Sequence, residues 1–307
     1  MNLPGVVVMA YGTPRSAEEI LPYYTDIRRG RPPSDEQLAE LTARYEAIGG
    51  LSPLAERTEA QRVMLAQELD NEAPGAFTVL VGLRHVEPTI ETAVGTLADA
   101  GADGIVGLVL APHYSSMSVA VYLERAAAAA ERRRLPFVGI ERWADDPVYV
   151  AYLADNVRAS LAHPALPAAT HVLFTAHSLP RRILDTGDPY PSEIAKTAAL
   201  VAGQAGLATD HWSIAWQSAG RTSEPWLEPD LLSVIGSLAA SPEVDGVLVC
   251  PCGFVADHLE VLYDLDIEAR QHAEAAGLVF RRTPVVNDDS QVMAALARRI
   301  TDLAARS

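Results

Sequence analysis

Lysine and cysteine are almost missing from this chain. One lysine, Lys196, occurs in 307 residues. That leaves little scope for Schiff-base chemistry, and no G-x-x-x-x-G-K-[ST] phosphate loop is present. The two cysteines, Cys250 and Cys252, stand one residue apart in VCPCGF. They supply neither a disulfide framework nor a four-cysteine iron–sulfur site, which suits a reducing compartment. On a strand they would point to opposite faces, so a shared metal is not expected. No apolar run reaches the roughly 18–20 residues that spanning a bilayer requires. The start, MNLPGVVVMAYGTP, lacks the basic region and apolar core of a secretory leader, so a cytoplasmic protein is expected. Basic charge is scarce as well: 24 Lys and Arg face 40 Asp and Glu, a net −16. Such a surface repels nucleic acid and anionic lipid, so neither a nucleic-acid partner nor stable membrane association is expected. No G-x-G-x-x-G follows the first apolar run, and neither H-E-x-x-H nor G-x-S-x-G appears.

What is present is an ordinary globular balance, 49% hydrophobic and 21% charged, long enough for about two domains. Continuous apolar runs predict buried parallel strands near 5–10, 77–82, 104–111 and 136–141. A second set lies near 170–175, 211–216, 245–250 and 278–282. Helical stretches separate them, at 56–71, 88–100, 117–134, 147–161, 190–205 and 226–239. That alternation predicts an α/β fold with parallel sheets. The two sets read as a weak internal duplication: VVVMAYGTP matches VLFTAHSLP, and LVLAPHYS matches VLVCPCGF. The proline- and alanine-rich AHPALPAAT, 162–170, reads as the link between halves. The expected domains are therefore 1–161, with an insertion at 15–55, and 162–287. A helix over about 288–305, opened by Asp288-Asp289-Ser290, is expected to pack 288–307 back on them through Val292, Met293, Leu296, Ile300 and Leu303. The insertion carries the compact basic cluster Arg28, Arg29 and Arg31, together with Arg44.

In open parallel sheets, ligands bind beyond the carboxyl ends of the strands. The polar residues there are Tyr11, Arg84, His85, His113, Tyr114, His177, Ser178, Gln217, Ser218 and His258. Loops are ordinarily polar, and a lone histidine at a strand end is ordinarily structural. The more pointed feature is GFVADHLEVLYDLDIEAR, where Glu260, Asp264 and Glu268 recur every four residues. On an α-helix they share a face but drift by about 40° per step. A local π-type widening would align them better. Their mutual repulsion, a few tenths of a kcal/mol per pair, would be relieved by a cation. A solvated acidic face is the plainer reading of the same spacing.

Taken together, VVVMAYGTP, YYTDIRRGRPP, RYEAIGGLSPL, GLRHVEP, APHYSSMSV, TAHSLP, WQSAGR and GFVADHLEVLYDLDIEA resemble the ferrochelatases, in order and over nearly the whole chain. The form is that of the Gram-positive and actinobacterial enzymes that insert iron into coproporphyrin III. The resemblance implies a lyase of haem biosynthesis with two similar Rossmann-type domains and a cleft between them (chelatase-like). His177 and Glu260 would then be the catalytic pair facing each other across the porphyrin. His177, Glu260, Asp264 and Glu268 would form a line for metal or protons. Inserting Fe²⁺ releases two pyrrole protons; a neutral imidazole near its ordinary pKa of 6.5 can take a proton, bind iron, or both. A carboxylate such as Glu260 can coordinate the incoming hard cation or take the second proton, and the sequence does not say which residue does which. Tyr11 would lie on the other porphyrin face as a ligand of product haem, with a packed loop tyrosine as its plainer role. Coproporphyrin's four propionates make Arg28, Arg29, Arg44 and Ser52 their expected partners, with Tyr114 also at the substrate site. Arg84 stands where relatives commonly carry lysine, which keeps the charge and changes the geometry.

Fe²⁺ is thus expected as substrate metal. No [2Fe–2S] cluster is expected, since actinobacterial relatives that bear one use four cysteines. A monomer in transient contact with other haem-pathway enzymes fits the charged insertion. Three other readings stand beside this one. They are a protoporphyrin IX ferrochelatase or other tetrapyrrole metal chelatase, a non-catalytic haem-binding or haem-transfer protein, and a binding protein for an anionic metabolite.

Overall fold

The computed structural model describes residues 4–220 and 222–306. Arg221, which closes the WQSAGR motif, lies outside the described residues. The eight expected strands are present: β1 Gly5–Ala10, β2 Thr78–Leu83, β3 Ile105–Val109, β4 Phe137–Ile140, β5 Thr170–His177, β6 Trp212–Gln217, β7 Gly246–Cys250 and β8 Val279–Arg282. The helices are α1 Ile20–Ile27, α2 Asp35–Ala47, α3 Leu54–Glu72, α4 Ile90–Asp99, α5 Val119–Arg132, α6 Pro147–Leu161, α7 Tyr190–Ala205, α8 Leu231–Ala239, α9 Leu259–Leu262, α10 Arg270–Ala275 and α11 Ser290–Ala304. The chain forms two compact units.

The first unit comprises Met1–Trp143, Ala256–Leu259 and Asn287–Ser307. Its sheet is parallel, in the order β2-β1-β3-β4. β1 is central, and every residue of GVVVMA is buried, as a strand covered on both faces must be. Gly107 on β3 admits the Phe137 ring of β4, which an added Cβ would meet at 2.8 Å. Thr89 caps α4 by accepting from Thr92 N at 3.1 Å. The 15–55 insertion folds as α1 and α2, the latter opened by a reciprocal Ser34–Gln37 capping box. α11 starts at Asp289, whose carboxylate accepts from Gln291 N and Val292 N at 3.1 and 3.0 Å. It buries Val292, Met293, Leu296 and Ile300 and packs on α3, while Leu303 is only half-buried.

The second unit comprises Ala144–Val255 and Glu260–Val286. Its parallel sheet repeats the order of the first, β6-β5-β7-β8. The expected boundary at 161 is displaced. α6 buries Tyr149, Val150, Leu153, Ala154 and Val157 and packs on α7 and β7 of this unit. The stretch 162–170 is therefore the α6–β5 connection and not a link between halves. Hydrophobic periodicity locates a helix but does not say which sheet its apolar stripe covers.

Candidate functional site

In the second unit, β5 ends at His177 after Val172, Leu173, Phe174 and Ala176, all fully buried. The locked strand delivers the imidazole at the sheet's carboxyl end. His177 Nδ1 donates to the carbonyl of Ser178. Its Nε2 lies 3.5 Å from Glu260 Oε1, with both side chains about one-third exposed, at 34% and 37%. Burial alone would depress the imidazole's pKa. The Glu260 carboxylate, the Ser178 carbonyl and the Asp264 charge outweigh it and push the pKa up to about 9. His177 in the free protein is therefore an imidazolium at neutral pH, not the neutral base that its ordinary pKa suggests. The Nε2 proton must leave before that nitrogen can accept a pyrrole proton or a metal ion.

Glu260 rides on α9, and its carbonyl accepts from Gln217 Nε2 at 3.2 Å. Beyond it, Asp264–Ala269 is a π-helical segment, in which Glu268 N reaches back five residues to Tyr263 O at 2.9 Å. The widening that four-residue carboxylate spacing favours is thus present. Asp264 is 6% exposed and accepts from Ser218 Oγ. Ser218 has a left-handed backbone, φ 60°. Glu268 is half-buried. Among the described residues no three His, Cys, Asp or Glu side chains converge into a metal-holding group. The line of four expected metal residues is a His177–Glu260 pair followed by a carboxylate that Ser218 already engages.

In the first unit, Tyr11 follows β1 directly and is 38% exposed. Its ring packs on that of His85 with centroids 4.4 Å apart, and edge-on to Tyr23 at 6.4 Å. Asp26 meets His85 Nδ1 at 2.6 Å. Burial lowers the His85 pKa, and Asp26 opposes the fall. The Arg84 guanidinium lies 6.0 Å from the Tyr11 ring and 5.4 Å from that of Tyr122. Arg125 grips Glu91 through two hydrogen bonds of 2.8 and 2.7 Å and donates to the Arg84 carbonyl at 2.8 Å. Arg28 and Arg29 sit together at the end of α1, Arg28 over the Tyr24 ring and Arg29 exposed at φ 58°. Arg44 is on α2, 3.9 Å from Glu40. Ser52 is buried, and its oxygen accepts from Leu54 N at the start of α3, so its placement serves the helix. The Tyr114 ring lies 5.7 Å from the Arg142 guanidinium. His258 Nδ1 is 2.9 Å from the Ala256 carbonyl. Asp26 and Arg125 were not among the residues the sequence pointed to. Asp26 stands inside the YYTDIRRG motif, but its partner is 59 residues away.

His113 is a different case. It is 2% exposed, and burial pushes its pKa down to about 3. An unfolded histidine titrates near 6.5, so between these values the unfolded chain binds the extra proton. The stability that neutral His113 confers is complete above about pH 6.5 and declines as pH falls, by at most about 1.4 kcal/mol per unit. Urea unfolding between pH 4.5 and 7 should show this slope, and His113→Asn should flatten it. An unchanged slope in the variant would assign the acid sensitivity elsewhere.

A family model described as Ferrochelatase matches residues 4–303. The coproporphyrin III ferrochelatase of Geobacillus kaustophilus (strain HTA426) is 45% identical over 299 residues, covering 95% of this chain and 93% of that protein. The coproporphyrin III ferrochelatase of Listeria monocytogenes serovar 1/2a is 40% identical over 298 residues, covering 95% of each. Among solved structures, SirB from Bacillus subtilis with Fe³⁺ matches at TM-score 0.60 and 13% identity, over 99% of this chain and 96% of that one. DR2241 of Deinococcus radiodurans, described as structurally similar to chelatases, matches at TM-score 0.52 and 12% identity, over 97% of this chain and 54% of that one. At such identities the structural likeness speaks to the fold alone.

Proposed function

The chain belongs to the ferrochelatase family, and from that premise we propose that it inserts Fe²⁺ into coproporphyrin III to give coprohaem, as a lyase of haem biosynthesis. The observation that carries the site assignment is the His177–Glu260 pair, Nε2 to Oε1 3.5 Å, at the end of a strand whose run Val172 to Ala176 is fully buried. Metallation exchanges one Fe²⁺ for two pyrrole protons. Glu260 receives the arriving cation. Once its charge is engaged, it no longer holds the His177 proton, the imidazole pKa falls and that proton passes to solvent; Nε2 then takes one pyrrole proton and hands it on to solvent in turn, which leaves it free to take the second. Ser178, by accepting from Nδ1, keeps Nε2 as the reactive nitrogen. Asp264, close enough to influence His177, is the next group in line for protons, and Glu268 follows it.

Arg28, Arg29, Arg44 and Arg84 supply guanidinium groups for propionates, with Ser52 and Tyr114 as further contacts. Tyr11, exposed and backed by His85, is the ligand for product haem. The proposal includes no [2Fe–2S] cluster. Cys250 and Cys252 are fully buried, and burial raises both thiols, Cys250 to about 12. That environment disfavours the thiolates a cluster needs. Among the described residues no helix is long and apolar enough to cross a membrane. We take the protein to act as a cytoplasmic monomer.

The test is anaerobic Fe²⁺ insertion followed by absorbance, with coproporphyrin III and protoporphyrin IX side by side. Faster turnover of coproporphyrin is expected. A preference for protoporphyrin would overturn the substrate, and binding of both without turnover would favour a haem carrier. Tyr11→Phe in the same assay should shift the absorbance of the bound product; an unshifted spectrum would remove Tyr11 as ligand.

A further inference from the structure

His177 and Glu260 come from separate parts of the second unit, and one buried residue touches the frame of both. Gln217 ends β6 and stands opposite His177 in the β5–β6 register. Its carbonyl accepts from Ser178 N at 2.7 Å, which pins Ser178, the residue whose own carbonyl is the acceptor for Nδ1. Its side-chain Nε2 donates to the Glu260 carbonyl at 3.2 Å and approaches Ser218 Oγ at a long 3.5 Å. Ser178 is held a second time, its hydroxyl donating to Leu227 O at 3.0 Å, and Tyr190 OH donates to His177 O at 3.0 Å. Gln217 thus carries the tie that runs from the His177 peptide to α9.

Gln217 is 2% exposed, yet its Oε1 is buried without a partner among the described residues. A buried amide oxygen left in this way costs stability that an apolar residue of the same shape would not. An amide kept at that cost beside the reacting pair is expected of a working site.

We propose that Gln217 is a positioning residue for metal insertion: its backbone carbonyl and side-chain amide together fix the separation of the His177 ring from the Glu260 carboxylate. The inference rests on the reading of His177 and Glu260 as the inserting pair. Without the side-chain tie, α9 is free to shift relative to β5, and a misplacement of about 1 Å can cost a hundredfold in rate. Porphyrin binding does not depend on that separation.

Two variants test this. Gln217→Met keeps the volume and removes the donor. Gln217→Glu places an acceptor against the Glu260 carbonyl. Each is compared with the unaltered protein and with His177→Ala for kcat, KM for Fe²⁺, porphyrin affinity by fluorescence quenching, and Tm. The expected result is a fall in kcat of at least about tenfold, a raised KM for Fe²⁺, unchanged porphyrin affinity, and an unchanged or higher Tm for Gln217→Met. Wild-type kcat and Fe²⁺ KM in both variants, with His177→Ala inactive, would overturn this inference and leave the site reading standing. Parallel losses of kcat, porphyrin affinity and Tm would make Gln217 merely structural. Normal turnover by His177→Ala would remove the site reading and this inference with it.

Discussion

Replacing His177 by alanine should lower the rate of Fe²⁺ insertion into coproporphyrin III by about 10²–10⁴-fold, the usual worth of a positioned acid–base group. Porphyrin binding should persist, because the guanidinium groups assigned to the propionates are elsewhere in the chain. The loss should appear in kcat. An alanine at this position also leaves Glu260 without its cationic neighbour, 3.5 Å away. Metal affinity in the absence of porphyrin should therefore change less than turnover does, since the carboxylate proposed to receive the metal is no longer paired. Single-turnover absorbance with porphyrin already bound separates insertion from binding. An insertion rate within a few fold of the unaltered protein's would end the assignment of His177.

The second large effect is expected at a residue with no side chain. Gly253 lies against the strand that carries His177. A Cβ there would stand 2.5 Å from Ala176 Cβ and 2.8 Å from Ala176 Cα. The nearer atom belongs to a short side chain that cannot swing aside, and the other is backbone, so β5 itself must move. Gly253→Ala should destabilise the protein by about 1–3 kcal/mol, the range for overpacking a tight interior. Insertion should fall by about a hundredfold, because the displaced residue immediately precedes His177, the imidazole proposed to take part in insertion. Ala176→Gly combined with Gly253→Ala removes the clash with the methyl group and leaves the one with the backbone. The double variant should therefore recover part of both losses. Unfolding curves and kcat for the three variants decide the matter; full activity in Gly253→Ala would show that the turn after β7 moves without disturbing β5.

The strands were legible because each is a short, continuous apolar run bounded by polar turns, a pattern that buried parallel strands require. GVVVMA and VLFTAH could hardly be anything else between helices. His177 and Glu260 could be singled out for another reason: their motifs match a family over nearly its full length, and the structure sets the two side chains 3.5 Å apart. Ownership of α6 was not legible, because an apolar stripe does not name its partner. Nor was the charge on His177, which depends on a carboxylate 83 positions away in the numbering. Gln217 was visible only as one polar strand end among several. What distinguishes it is a pair of hydrogen bonds to Ser178 and Glu260, and no spacing in the sequence encodes those.

The first unit is written in three pieces, and this order has a consequence during synthesis. Leu65 and Leu69 of α3 are 1% exposed in the folded unit, and Gln61 Nε2 donates to Asn287 O at 2.9 Å. The segment that packs on α3, Asn287 and α11, leaves the ribosome only after the whole of the second unit has been made. At 5–20 residues per second that delay is on the order of ten seconds. During that interval the growing chain presents an α3 face without α11 to cover it, a natural handhold for a chaperone. The second unit, by contrast, ends at Val286 and needs nothing that is still to be made when α11 appears.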